Sequence, residues 1–290
     1  MSSDTPTDKS APDAIVIGAM RAGTTTLYRA FKDLGIVAVP EAKETDYYLA
    51  QPNFALGDKW YRNQFRNSPL PWVDFCPNYT KRDIFPETVG LIHANAPNAK
   101  LIFIARDPVD RAISQYNHTF MHSGSMPDPA ALLDTDEGVH ILKASEYAYQ
   151  LEPYYKRWRK EDILIVDFDE LVEDMPAVID RIARHIGLDM QALQEKADAA
   201  LELATANSSD ELRKMPRWWG QLRDTSAGRF VRTRVPRNVI DSVRTIVRGN
   251  KKADIPKFSP SVRKRIAKRL KADAERFRQV TGLPFDNWSI

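Results

Sequence analysis

Residues 14–34 join a short apolar run to an amphipathic helix through a turn that carries two glycines, and few folds accommodate that order. Ala14-Ile15-Val16-Ile17 has no polar position, the pattern of a strand buried on both faces of a sheet. Gly18-Ala19-Met20-Arg21-Ala22-Gly23-Thr24-Thr25-Thr26 reads as the turn. Leu27, Phe31 and Leu34 then recur at helical spacing, and Gly35 supplies a stop. A strand that enters a helix this way aims several backbone N–H groups, and the positive end of the helix dipole, at one point. The natural occupant is an anion, most often a phosphate. The spacing Gly18-x4-Gly23 is that of a nucleotide-binding phosphate loop, but Thr24 stands where a Walker A loop has lysine. The loop's own cation is Arg21. A phosphate cradle without that lysine calls for a different ligand.

Such a unit needs a sheet and covering helices, and a chain of 290 residues, 43% hydrophobic, can build both as one large α/β domain. The net charge of +3 suits an anionic ligand and is too small to demand nucleic acid. The one cysteine, Cys76, allows neither an intrachain disulfide nor a cysteine-built metal site, which fits a reducing compartment. Residues 1–13 are rich in Ser, Thr, Asp and Pro without a hydrophobic signal core, and are expected to be a disordered tail. With no apolar run near the ~20 residues of a membrane span, the expected location is the cytoplasm.

Further strands are expected at 36–40, 72–77, 100–105 and 162–167, and helices near 57–66, 86–96, 107–116, 147–158, 169–187, 190–203, 237–248 and 259–281. Short buried strands alternating with helices predict a three-layer α/β/α fold around a central parallel sheet, with extra C-terminal helices. Residues 121–143 read as a mobile loop. Lys43-Glu44 follows the expected second strand, on the carboxyl edge where ligands of open α/β sheets gather. The strand at 100–105 ends in Arg106-Asp107-Pro108, with Asp107 a natural N-cap and Pro108 a natural first helical residue. Arg106 then sits at a strand tip, and Ser114 lies about two turns along the next helix.

In this combination the motifs resemble those of sulfotransferases that use 3′-phosphoadenosine 5′-phosphosulfate (PAPS). Residues 17–25 resemble that family's 5′-phosphosulfate loop, and Arg106-Asp107-Pro108 with Arg111 and Ser114 its 3′-phosphate motif. Lys43-Glu44, the block from Tyr147 to Leu171 and the closing Leu283–Trp288 are similar to the heparan-sulfate and bacterial carbohydrate branch. The resemblance spans roughly 14–290, read as a single sulfotransferase domain with a P-loop-like fold, its 204–290 part covering the active-site edge. It implies that Arg21, Ala22, Gly23, Thr24, Thr25 and Thr26 hold the 5′-phosphosulfate. It also implies that Arg106 and Ser114 hold the 3′-phosphate, and that Glu44 is the general base towards an acceptor hydroxyl or amine. Arg229, in Ser226–Arg229, resembles the arginine of a late loop of the family and is a further phosphate-ligand candidate. Two departures matter. Many relatives have lysine where Arg21 stands, and arginine stabilises a leaving group without readily giving up a proton. Phe75 occupies the position of a lysine in the heparan-sulfate enzymes, which argues against a polyanionic acceptor.

The implied reaction moves a sulfo group from PAPS to a small-molecule, lipid or carbohydrate acceptor and releases adenosine 3′,5′-bisphosphate, with no metal required. Aromatic residues around 47–79 and 147–158 suggest a partly apolar cleft suited to a small or lipid-like acceptor. Other readings stand beside these. Asp74 is a reserve base and His118 another, with a hydrogen-bonded supporting imidazole as the plainer role for His118. Arg111 is expected to pair with a carboxylate. Trp218-Trp219 either stack on adenine or join the core. The helix at 237–248, flanked by Arg237, Arg244 and Arg248, either packs its Val/Ile face on the body or lies on an anionic membrane. Two rival functions are a nucleoside or small-molecule kinase, for which Ile163–Asp167 mimics a Walker B strand, and a non-catalytic nucleotide-binding or membrane-associated module.

Overall fold

The computed structural model describes residues 9–123, 125–189 and 256–290. Expectations for residues 1–8, the helices at 190–203 and 237–248, and the segment 204–236 with Trp218, Trp219 and Arg229 lie outside the described residues. Of the expected tail, residues 9–13 are ordered: Asp13 Oδ2 accepts the Trp72 N–H at 2.6 Å, which fastens the chain to the sheet before its first strand.

Four parallel strands form one sheet: β1 (Ala14–Gly18), β2 (Val73–Phe75), β3 (Lys100–Ala105) and β4 (Ile163–Asp167), in the order β2-β1-β3-β4. Val16 pairs with Phe75 on one side and Ile102 on the other. Every residue of β1 is buried, as its unbroken apolar run requires. Between the strands run α1 (Thr24–Leu34), α2 (Gly57–Gln64) and α3 (Thr88–Asn95). From β1 the chain travels to one side for β2 and returns to the other side for β3. The topological switch, where open sheets of this class hold ligands, therefore lies between the carboxyl ends of β1 and β3. The two phosphate motifs of the sequence begin at those two ends.

Two expectations change. Residues 36–40 form no strand; a single parallel bridge joins Ala38 to Trp72. Ala38 N–H donates to Pro71 O, and Pro40 and Pro71 have no N–H with which to extend the ladder. The supposed loop at 121–143 is largely structured. The helix after β3, α4, runs on to Ser123 (Pro108–Ser123), and α5 (Asp136–Lys143) follows a turn at Leu132–Asp134. Thr135 caps α5, its hydroxyl accepting the Gly138 N–H at 3.1 Å.

The rest follows the expected order: α6 (Tyr147–Tyr155), with Pro153 inside it; α7 (Phe168–Glu173) and α8 (Met175–His185), split where Asp174 caps α8; and α9 (Pro260–Thr281). Val109, Ala112, Tyr116, Leu132, Leu133, Ile141, Leu142, Val262, Ile266 and Leu270 form a second apolar cluster beside the sheet core. It joins α4, α5 and the first half of α9. The second half of α9 enters the main core, where Phe277 packs on Phe103, Tyr147 and Trp288. Among the described residues, no helix is long and apolar enough to cross a membrane.

Candidate active site

The turn after β1 is shaped by two close fits. A Cβ on Gly18 would stand 2.4 Å from Thr80 Oγ1 and 2.8 Å from the Phe103 ring, so only glycine lets the loop press against β3. Gly23 has φ +89°, in the left-handed region, and turns the chain into α1. The loop is tied to β3 by Ala19 N–H donating to Ile104 O at 3.0 Å. Ala22 N–H donates to Ala19 O and Thr26 N–H to Gly23 O, so the turn itself uses both donors. No side chain caps α1. The N–H groups of Gly23, Thr24 and Thr25 head the helix and are its donors free for an anion.

Arg21, also at positive φ (+69°), is where the two motifs meet. Its backbone carbonyl accepts Arg106 Nη1 at 3.1 Å, and its Nε donates to Ser114 Oγ at 3.3 Å. Arg106 leaves the tip of β3 with its guanidinium 4.8 Å from the centre of the Phe168 ring, and its own carbonyl accepts the Tyr147 hydroxyl at 2.8 Å. Asp107 caps α4 through Oδ1, which accepts Val109 and Asp110 N–H at 2.8 and 3.0 Å, while Oδ2 accepts Ser289 N–H from the C-terminal turn. Sequence reasoning placed the ends of this site and missed Phe168 and Tyr147. Both lie in the block 147–171, where aromatic spacing reads only as core.

Arg111 corrects an expectation. Fully buried, it pairs with no carboxylate among the described residues; Nε donates to Ser145 Oγ at 2.6 Å, Nη2 to Ile141 O at 2.6 Å and Nη1 to Met20 O at 3.4 Å. It is a strut from α4 to the phosphate loop and to α5. Burial, with the charges of Arg106 and Arg21 added, lowers its pKa to about 10. Burial and Arg106 likewise lower that of Arg21. Among the described residues, no carboxylate is ion-paired with Arg21, Arg106 or Arg111, so three guanidinium groups raise one another's energy at one sheet edge. An anion held there relieves that repulsion.

Glu44 stands beside the loop. Lys43 Nζ reaches Thr24 Oγ1 at 3.5 Å and pairs with the Glu44 carboxylate, whose side chain is 35% exposed. Thr25 is exposed, whereas Thr24, Thr26 and Ala22 are buried. His118 on α4 lies in the field of Arg21, Glu44 and Lys81. Burial, then Arg21, lowers its pKa. Asp74 is no alternative base. It is fully buried, and Thr45, Tyr61 and Tyr79 hydroxyls and the Phe75 N–H occupy its oxygens at 2.8–3.2 Å. Most of the aromatic residues expected to line a cleft are core instead: Tyr47, Tyr48, Tyr61, Tyr79, Tyr147 and Tyr154 are at most 2% exposed. Lys81 was not visible in sequence as a site residue. It directly follows the turn after β2, on the edge where ligands gather, and that position was the available signal.

Comparison with known proteins adds the chemistry that geometry alone leaves open. The sulfotransferase domain family model matches residues 11–232. The bifunctional heparan sulfate N-deacetylase/N-sulfotransferase 1 of Caenorhabditis elegans is 24% identical over 201 residues, covering 63% of this chain and 23% of that protein. Heparan sulfate glucosamine 3-O-sulfotransferase 3B1 of Mus musculus is 28% identical over 195 residues, covering 62% of this chain and 47% of that protein. The chain thus spans less than half the length of these relatives. The crystal structure of a sulfotransferase from Alicyclobacillus acidocaldarius superposes with a TM-score of 0.67 at 14% identity, over 97% of this chain and 100% of that one, a likeness of fold.

Proposed function

Because the chain belongs to the sulfotransferase domain family, we propose that it moves a sulfo group from PAPS to a hydroxyl or amine of a small-molecule, lipid or carbohydrate acceptor, releasing adenosine 3′,5′-bisphosphate. The observation that carries this reading is the bridge at Arg21, whose two ends touch Arg106 and Ser114. This contact between the two assigned cradles supports the reading, as does the lack of a carboxylate partner for their arginines among the described residues. These residues fit a doubly anionic nucleotide. The co-substrate supplies an activated sulfuryl group, which passes in line to the acceptor much as a phosphoryl group does. In this assignment Gly23, Thr24 and Thr25 N–H groups and Arg21 hold the 5′ end, where negative charge grows on the leaving oxygen. Arg106 and Ser114 hold the 3′-phosphate. Glu44 takes the acceptor's proton, and Lys43, touching both Thr24 and Glu44, sets the carboxylate against the loop. We assign the enzyme to the cytoplasm, which suits its single buried, unpaired thiol, Cys76.

The test starts with calorimetric titration of the full chain. Adenosine 3′,5′-bisphosphate is expected to bind in the presence of EDTA. Binding of ATP with Mg²⁺ in its place would support the kinase reading instead. Transfer from PAPS carrying labelled sulfur to a panel of alcohols and amines is then compared between wild type and Glu44→Gln. The variant is expected to lose about 10²–10⁴-fold in rate with its nucleotide affinity kept. A wild-type rate removes Glu44 from the mechanism.

A further inference from the structure

Resting on the sulfotransferase reading, we propose that a cavity beside the phosphate motifs is the subsite for the non-reacting part of the acceptor, and that it takes a polyhydroxylated, sugar- or polyol-like group. The cavity has a volume of about 200 Å³ and is walled by Lys81, Gln115, Glu137, His140, Lys143 and Gln150, among others. Its walls belong to the segments that build the site. Lys81 follows Thr80, whose hydroxyl donates to Ile17 O at 3.1 Å under the phosphate loop. Gln115 follows Ser114 on α4. Lys143 ends α5, just before Ser145, which receives Arg111 Nε. The half-buried Lys81 ammonium is repelled by Arg111 and attracted by Glu44 and Asp46, so the cavity's inner end shares the field of the catalytic carboxylate. An acceptor with one hydroxyl at Glu44 extends past Lys81 into this space.

The wall chemistry selects the class. Gln150 is spent, its Oε1 accepting Arg82 N–H and its Nε2 donating to Lys143 O, both at 2.8 Å. Lys143 pairs with Glu146 at 2.7 Å. Four side chains of the wall keep idle groups among the described residues: Gln115, Lys81, Glu137 and His140, whose ring nitrogens have no partner. Gln115 Oε1 is buried with no partner, and a turn about its last torsion brings the amide to a ligand. The Lys81 ammonium and the Glu137 carboxylate make no hydrogen bond or ion pair. The idle Lys81 ammonium, the idle Gln115 and Glu137 oxygens and the idle His140 ring nitrogens are satisfied together by neighbouring hydroxyls, because a hydroxyl both donates and accepts. An anion answers Lys81 but meets Glu137, and a hydrocarbon leaves all four side chains unpaired. The volume is under the roughly 300 Å³ at which drug-sized pockets begin, which suits one ring and excludes a polymer segment.

The test reads binding and does not depend on turnover. Saturation-transfer NMR follows methyl β-D-glucopyranoside on the full chain, with and without adenosine 3′,5′-bisphosphate, and methoxycyclohexane serves as the apolar control. The glucoside is expected to bind, and its affinity to fall about fivefold in Lys81→Met and in Gln115→Leu, the loss of one hydrogen bond each. Ile84→Trp, which fills the mouth at a 48%-exposed wall position, is expected to abolish binding. Melting temperature and nucleotide affinity should stay at wild-type values in all three. No glucoside binding, equal binding in wild type and variants, or equal binding of the ether overturns the subsite. Failure of the nucleotide alone to bind counts against the sulfotransferase reading, while the nucleotide-free series still decides the cavity.

Discussion

At the scale of single residues the site is a matter of charge that has no carboxylate partner among the described residues. Arg106 lies over the Phe168 ring and donates to Arg21 O, an arrangement that fixes its fork before any ligand arrives. A charge-assisted hydrogen bond contributes about 1.5–3 kcal/mol, so Arg106→Ala should weaken adenosine 3′,5′-bisphosphate about 10- to 100-fold. Adenosine 5′-phosphate lacks the group that Arg106 is assigned to hold, and its affinity should move far less; equal losses in calorimetry would take the 3′-phosphate away from Arg106. Asp74 carries charge of another kind. Burial raises its carboxyl to about 6, against the pull of the Tyr61, Tyr79 and Thr45 hydroxyls and the Phe75 N–H. Raised in the folded state from 3.8, it holds its proton more tightly there than in the unfolded chain. Its contribution to stability is therefore largest below about pH 4 and is lost as pH rises through about 6. Urea unfolding of wild type and Asp74→Asn over pH 4–8 should show a stability difference that slopes across that window and is flat above it. A difference independent of pH would mean that Asp74 does not titrate between the two states.

At the scale of elements, what the sequence made legible is local and what it hid is distant. The turn from β1 to α1 could be read because its demands are met by its own glycines, and the start of α4 because Asp107 and Pro108 cap it from within. The order of the helices was readable from spacing such as Val262, Ile266 and Leu270. In contrast, Ala38 fails to extend a ladder because of Pro71, a neighbour more than thirty residues away along the chain. α5 was hidden because Ile141 and Leu142 pack against α9, and because Gly138 breaks the helical reading; its Cβ would stand 1.8 Å from Leu132 O. Lys81 left only its position after β2 as a signal, because Gln115, Glu137 and His140, which wall the same cavity, come from distant segments. The local demand of the loop can be tested by comparing two glycines at positive φ. Gly23→Ala puts a Cβ 3.1 Å from Phe168 and Leu171, whereas Gly35→Ala, at φ +63°, meets nothing within 4 Å. Both carry the backbone cost of about 1–2 kcal/mol. Only Gly23→Ala should also reduce nucleotide affinity, because its strain is released by moving the N–H groups aimed at the anion. Calorimetry and thermal melts on the pair separate the two effects.

At the scale of the whole molecule, α9 joins two cores that the chain builds far apart in sequence. Its first half closes the cluster on α4 and α5, and its second half enters the sheet core through Ala274 and Phe277. The turn beyond it reaches Asp107, at the head of α4. A helix shared by two cores cannot leave one without unsettling the other, so the described structure should melt as one cooperative unit. Ile266→Ala opens a cavity in the second cluster, at a residue 1% exposed, and should cost about 2–5 kcal/mol. The proposed nucleotide site lies at the head of α4, around Arg106 and Ser114, and only the folded state gathers Arg21, Arg106 and Arg111 there. Adenosine 3′,5′-bisphosphate at a hundred times its dissociation constant should therefore return about 2.7 kcal/mol to wild type and to Ile266→Ala alike. Equal increments in one shared transition are expected in calorimetric scans. If the variant instead shows two transitions, and the nucleotide shifts only one of them, the cores unfold separately and α9 does not unite them.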